Sequence, residues 1–97
     1  VSDKIPDLIA STGKQCVTET LSEEEYLKKL DEKLAEELAE FQQDHSLEEL
    51  ADLQEVILAA AAARGCSAEE LEKIRYEKAK KRGGFEQRLM LRDVIED

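Results

Sequence analysis

Apolar residues recur at steps of three and four along the first long patterned stretch of the chain. The stripe is formed by Leu27, Leu30, Leu34, Leu38 and Phe41. This spacing places the side chains on one narrow face of an α-helix. Ser22, with Glu25 three residues later, is typical of a capping box at a helix start. The pattern predicts a helix over about 22–43.

The next stretch has a different pattern, because it is apolar almost all round. From Leu50 to Ala63 the only polar residues are Asp52, Gln54 and Glu55. Such a helix is normally buried on every side, and 97 residues leave little chain to cover it. Together with a second capping box at Ser46, the pattern predicts a buried helix over about 46–64 and at least a dimer.

The short break at residues 43–45 predicts that these two helices fold back into an antiparallel hairpin. Gly65 ends the second helix, and a third capping box at Ser67 opens a helix over about 67–82. Pro6 and Gly13 bound a short helix over 6–12, residues 15–21 form an extended connector, and 83–97 form a C-terminal tail. The predicted fold class is all-α, a single domain over 1–97. A hairpin plus a third helix would complete a four-helix-bundle type of core by oligomerisation.

Composition narrows the range of partners. The formal net charge is −10, charged residues make up 39% and aromatic residues 4%. An acidic chain is a poor ligand for nucleic acid or for anionic membranes, and no stretch is suited to span a bilayer. Cys16 and Cys66 lack metal-ligand spacing, so we expect free thiols and a cytoplasmic location.

Two acidic pairs at a spacing of three flank the hairpin turn. Glu37 and Glu40 lie on the first helix, and Glu49 and Asp52 lie on the second. If the helices lie side by side, these carboxylates converge, and converging carboxylates favour a hard divalent cation. Glu36 is directed further from the partner helix.

Structural explanations compete with the metal for these acids. A solvent-exposed acidic face is common in a chain with 24 acidic residues, and Glu49 is also the capping-box partner of Ser46. Asp52 is therefore the more informative ligand candidate. Glu55 either contacts the metal or pairs with a basic residue of another subunit.

Three motifs resemble the MazG-like nucleotide pyrophosphohydrolases, and in particular their small phosphoribosyl-ATP-pyrophosphohydrolase-like members. They are the opening Asp3-Lys4-Ile5-Pro6, the run Glu48-Glu49-Leu50-Ala51-Asp52 and the ending Lys81-Arg82-Gly83-Gly84-Phe85. The resemblance extends roughly from Asp3 to Phe85. Ser2 departs from it, since an arginine is common there, and the interval 41–48 is shorter than in longer members.

The resemblance implies an all-α dimer or tetramer that hydrolyses a nucleoside triphosphate, or a related nucleotide, to the monophosphate and pyrophosphate. House-cleaning of non-canonical nucleotides is one role that it suggests. It implies Mg²⁺, or Mn²⁺ in its place, held by Glu37, Glu40, Glu49 and Asp52. Glu36 and Glu40 are the candidates for orienting or deprotonating the attacking water. The candidate phosphate contacts are Lys78, Arg82, Arg75 and Lys4.

Each of these assignments has an alternative. Basic residues at the end of a helix also complement its dipole or pair with Glu72 and Glu77. Tyr26 and Tyr76 either pack at the edge of the core or stack on a base. At the level of the whole chain, the alternative to an enzyme is a non-catalytic helical oligomer that mediates interactions or binds nucleotide. A calcium protein is disfavoured, because the acids lie on helices and not in a glycine-containing loop.

Overall fold

The computed structural model describes residues 1–96 and contains four helices. They are α1 (Ile5–Ser11), α2 (Glu23–Asp44), α3 (Leu47–Ala62) and α4 (Ala68–Arg82). No strand occurs within residues 1–96, so the predicted all-α class is confirmed. Asp97, the last residue of the predicted domain and of its tail, lies outside the described residues.

Each long helix begins at a serine that caps it. The hydroxyl accepts a hydrogen bond from the backbone N–H three residues later, at 3.3 Å for Ser22, 3.2 Å for Ser46 and 3.1 Å for Ser67. These bonds satisfy backbone donors that have no partner within the helix. The three helix starts predicted from the sequence are therefore confirmed.

A two-residue connection joins α2 to α3. His45 adopts a left-handed conformation, with φ 54°, and its backbone N–H donates to the carbonyl of Phe41 at 2.6 Å. Ser46 follows directly and caps α3. At the far end of the hairpin the guanidinium of Arg64 lies 4.0 Å from Asp31, so the two helices run antiparallel along their length.

The remaining segments make few contacts with the hairpin. Helix α4 contacts α3 but not α2, and α1 packs against no other described helix. Gly65 lies between α3 and α4 and has a φ of 78°. Glycine adopts this left-handed conformation without strain, which allows the chain to turn there. The molecule measures 68 × 31 × 21 Å with a radius of gyration of 18.3 Å. A compact domain of this length would have a radius of about 13 Å.

The interior of a single chain is very small. Within residues 1–96 only Leu30 and Glu37 are buried. The sequence predicted that helix α3 is buried on every side. In a single chain it has no buried residue, and Leu50 and Ile57 are each more than 40% exposed. The predicted four-helix core needs a second copy and stays a prediction.

Two further observations concern the length of the apolar helices and the state of the cysteines. None of the helices in residues 1–96 combines the length and the apolar character needed to cross a bilayer. Cys16 is exposed, Cys66 is half-buried, and both are free thiols.

Candidate functional site

The candidate site lies where Glu37 of α2 faces α3. Glu37 is 6% exposed, as deeply buried as Leu30, which lies two helical turns earlier. Residues seven apart share a helix face, so the carboxylate takes a position that an apolar side chain would otherwise fill. The local fold therefore places a charged group inside the helix interface.

Acidic side chains meet around Glu37 in two overlapping groups. One group comprises Glu36, Glu37 and Glu40, and the other comprises Glu37, Glu49 and Asp52. Within each group one carboxylate oxygen per residue lies within 4.8 Å of the others. Each of the four predicted metal ligands belongs to at least one of these groups. Glu37 belongs to both, so its carboxylate lies near acids of α2 and of α3.

The buried oxygens of this cluster are only partly compensated. Oε2 of Glu37 and Oε2 of Glu49 are buried and have no hydrogen-bond partner within residues 1–96. A buried carboxylate oxygen without a donor or a cation costs free energy. These two oxygens belong to opposite helices, Glu37 to α2 and Glu49 to α3.

Lys33 supplies the cation nearest to the cluster. Its Nζ lies 3.1 Å from Oε1 of Glu37 and 3.2 Å from Oε1 of Glu36. Hydrogen bonds to Glu37 and then to Glu36 raise the pKa of the Lys33 ammonium. We did not identify Lys33 from the sequence, although its position four residues before Glu37 on the same helix was the available signal.

The crowding of the carboxylates also shifts a titration within the cluster. The hydrogen bond to Glu37, followed by burial and by the charges of neighbouring carboxylates, raises the pKa of Glu40. Holding a proton between two carboxylates relieves the same repulsion that a bound cation would relieve. A cation bound here would therefore compete with the protonation of Glu40.

The donor set fits a hard divalent cation. All the groups are carboxylates, and Mg²⁺ and Mn²⁺ prefer oxygen ligands. The two uncompensated oxygens of Glu37 and Glu49 are the observation that supports the fit. Asp52 is exposed and Glu49 half-buried, so a cation held there would be accessible from solvent.

The predicted phosphate contacts on α4 are not gathered at this cluster in a single chain. Arg75 donates from Nε to Oε2 of Glu72 at 2.8 Å, and this bond lowers the pKa of the Glu72 carboxyl. Lys78, Arg82 and Lys4 form no ion pair within residues 1–96. Because α4 does not contact α2, Lys33 is the cation that one chain itself places beside the acids.

A groove of about 650 Å³ adjoins the acidic cluster. Tyr26 and Leu30 of α2 line it together with Val56 and Ala59 of α3, and Lys33 and Glu36 form the side nearest to the cluster. From the sequence, Tyr26 either packs at the edge of the core or stacks on a base. The structure places it in this groove, 42% exposed.

Comparisons with known proteins add little to this geometry. No protein-family profile matches the chain, and no solved structure matches it. An uncharacterized protein of Mycolicibacterium smegmatis is 52% identical to the chain over 40 residues. The aligned part is 41% of each protein, so the chain spans less than half of that relative's length.

Proposed function

We propose that this chain is a Mg²⁺-dependent nucleotide pyrophosphohydrolase of the MazG-like kind. It would cleave a nucleoside triphosphate, or a related nucleotide, between the α- and β-phosphates to the monophosphate and pyrophosphate. One observation carries the proposal. Oε2 of the buried Glu37 has no partner, while carboxylate oxygens of Glu37, Glu49 and Asp52 lie within 4.8 Å of one another.

In this proposal Glu37, Glu40, Glu49 and Asp52 hold the metal, and Mn²⁺ could replace Mg²⁺. When bound, the metal would supply positive charge that offsets the negative charge of the phosphates. The hairpin's own contribution is to hold carboxylates from two helices at fixed separations. Because both helices are capped at the connecting turn, that spacing is set before the substrate arrives.

In this proposal the acids on the exposed side of the cluster accept the proton of the attacking water. Glu36 is exposed and Glu40 half-buried, so either side chain can contact a water molecule entering from solvent. A carboxylate within hydrogen-bonding reach of that water can orient it and accept its proton. Lys33 lies next to both Glu36 and Glu37, where its charge would attract a phosphate oxygen.

The proposed phosphate contacts Lys78, Arg82, Arg75 and Lys4 have a separate requirement. For the α4 residues to reach the cluster, a second copy must supply them, or α4 must move relative to the hairpin. We therefore expect their substitution to affect KM more than the metal affinity.

The experiment that tests the proposal is a nucleotide-panel assay with Mg²⁺ and identification of both products. We expect monophosphate and pyrophosphate, loss of turnover on chelation, and loss of turnover in Asp52→Asn. Glu48→Gln is the matched control, since Glu48 is an exposed acid of α3 outside both carboxylate groups. Turnover that survives chelation or Asp52→Asn would reject the assigned site.

A second candidate function is supported by a different observation. Leu30 is the only buried apolar residue within residues 1–96, so the hairpin has apolar surface available for assembly whether or not it is catalytic. The alternative is therefore a non-catalytic helical homodimer or homotetramer that mediates interactions or binds nucleotide. Both candidates suit a reducing compartment such as the cytoplasm, given the free Cys16 and Cys66.

Light scattering combined with size exclusion separates the two candidates from a monomer. We expect at least a dimer, and we expect Leu53→Asp to abolish assembly because it puts a charge on the apolar helix α3. Intact assembly with no turnover on any nucleotide would favour the non-catalytic candidate. A monomeric wild-type protein would contradict the oligomer that both candidate functions assume.

A further inference from the structure

The groove beside the acidic cluster combines an apolar floor with a charged rim. Leu30 and Val56 contribute aliphatic side chains from opposite helices, and the Tyr26 ring is available to a ligand because it is 42% exposed. A volume of about 650 Å³ lies within the usual range for small-molecule sites, about 300–1,000 Å³. The dimensions and the lining suit a flat, partly apolar ring.

The rim of the groove offers hydrogen-bond acceptors. Both lysines of the rim form ion pairs within the chain. Nζ of Lys29 lies 3.2 Å from a carboxylate oxygen of Glu32, and Nζ of Lys33 lies 3.2 Å from one of Glu36. The other two acids of the rim, Asp3 and Glu55, form no ion pair within residues 1–96. Ionised carboxylates only accept hydrogen bonds, so the groove favours a ring that carries N–H donors.

The groove and the metal cluster form one continuous surface. Glu36 lines the groove and also belongs to the carboxylate group of Glu37 and Glu40. Lys33 lines the groove and contacts Glu37. A ligand with a ring at one end and phosphates at the other could therefore occupy both regions at once.

We propose that this groove binds the base of the nucleotide and selects bases that carry an amino group. Tyr26 lies against the ring, and Glu55 accepts from the amino group. Adenine, cytosine and guanine carry an exocyclic amino group, whereas uracil and thymine have only the ring N3–H, flanked by two carbonyl oxygens that a carboxylate would repel. This inference rests on the proposed nucleotide function and adds a base subsite and its preference to it.

The chain has two tyrosines, Tyr26 and Tyr76, and no tryptophan, so tyrosine fluorescence can report on the groove directly. In Tyr76→Phe the fluorescence comes from Tyr26 alone, and in Tyr26→Phe it comes from Tyr76 alone. Both variants are titrated with CMP, AMP and UMP in the presence of Mg²⁺. The nucleotide absorbs light equally in both titrations. The difference in quenching between the two variants therefore measures the effect of binding on the tyrosine.

We expect CMP and AMP to quench the Tyr26 emission at lower concentration than UMP, with no matching change for Tyr76. Stacking on an aromatic ring predicts that Tyr26→Ala weakens CMP binding about tenfold, and Tyr76→Ala should leave it unchanged. Glu55→Gln should reduce the preference for CMP over UMP several-fold. Equal behaviour of the two tyrosines, or an unchanged base preference in Glu55→Gln, would overturn the proposal.

The same titration separates this inference from the proposed function. Hydrolysis of nucleotides without selective Tyr26 quenching would mean that the enzyme binds the base elsewhere. Selective quenching without hydrolysis of any nucleotide would retain the groove as a binding site and reject the catalytic proposal. Circular dichroism of each variant establishes that a loss of binding is not a loss of helix.

Discussion

At the scale of single residues, Glu37 is the most informative position in the chain. It lies on the same helix face as Leu30 and is equally buried, yet Lys33 contacts only one of its two oxygens. A carboxylate in that position opposes folding unless a cation or a proton offsets it. The residue therefore lowers the stability of the free protein and would favour binding of a cation.

We predict that Glu37→Gln separates these two effects. In chelator the variant should be at least as stable as wild type, because it removes one of several crowded negative charges. Wild type should gain about 1.4 kcal/mol when free Mg²⁺ is about tenfold above its Kd, and the variant should gain much less. Thermal melts with and without Mg²⁺ measure both quantities.

Glu48→Gln provides the comparison, since it removes one acid from an exposed position of α3. It should keep the full response to Mg²⁺. An equal gain in Glu37→Gln and wild type would show that the ion binds somewhere else.

Glu40 leads to a prediction about pH. The hydrogen bond to Glu37 raises its folded-state pKa above the ordinary value of 4.5, so the folded protein binds this proton more tightly than the unfolded chain does. The stabilisation is complete below 4.5 and is lost as the pH rises through the folded-state pKa. In chelator, Glu40→Gln should therefore become more stable relative to wild type as the pH rises from about 4 to 7. Urea unfolding at several pH values measures this difference, and a constant difference would contradict it.

At the scale of the helices, the three serine caps and the two-residue connection define the hairpin. Ser46 matters most, because its hydroxyl accepts from the backbone N–H of Glu49, a candidate ligand. The cap stabilises the first turn of α3 and holds the Glu49 backbone in place. Local bonds of this kind need no contact with the rest of the chain.

We predict that Ser46→Ala lowers the free energy of unfolding by about 1 kcal/mol, the usual effect of losing a serine cap. Ser46→Thr should recover much of the loss, because its hydroxyl can accept the same bond. Ser11→Ala is the control, since the exposed Ser11 hydroxyl donates to a carbonyl of its own short helix. Denaturant unfolding followed by circular dichroism makes the comparison, and equal effects of Ser46→Ala and Ser11→Ala would argue against the cap.

The local signals explain what the sequence could predict. Ser22, Ser46 and Ser67 marked the helix starts, because capping depends only on residues a few positions apart. The convergence of Glu37 with Glu49 and Asp52 followed from the short break between the helices. Lys33 and the groove at Tyr26 were missed, because both depend on which side chains meet across α2 and α3. That register is a tertiary property which residue spacing alone does not specify.

At the scale of the whole molecule, the chain is extended and has little interior. Its radius of gyration of 18.3 Å exceeds the value of about 13 Å expected for a compact chain of this length. Large apolar side chains of the hairpin, such as Leu38 and Ile57, are more than 40% exposed. A second copy of the chain would bury such side chains by pairing the apolar faces of the two hairpins.

We predict that the thermal stability depends on protein concentration. If folding is linked to assembly, raising the concentration favours the folded oligomer, and Tm should rise by several degrees over a hundredfold range. Ile57→Asp should lower Tm and remove this dependence, whereas Val17→Asp, in a fully exposed segment outside the helices, should change neither. Scanning calorimetry at several concentrations tests this, and a Tm independent of concentration in wild type would contradict linked assembly.

The connection at His45 and Ser46 bears on the order of events during folding. One residue ends α2 and the next starts α3, so the two helices can pair through contacts that are close in sequence, and such contacts form quickly. The carboxylates would then be together in an isolated chain, before any encounter with a partner. Association would be the slow, second-order step, and the newly made monomer would already be able to capture a cation.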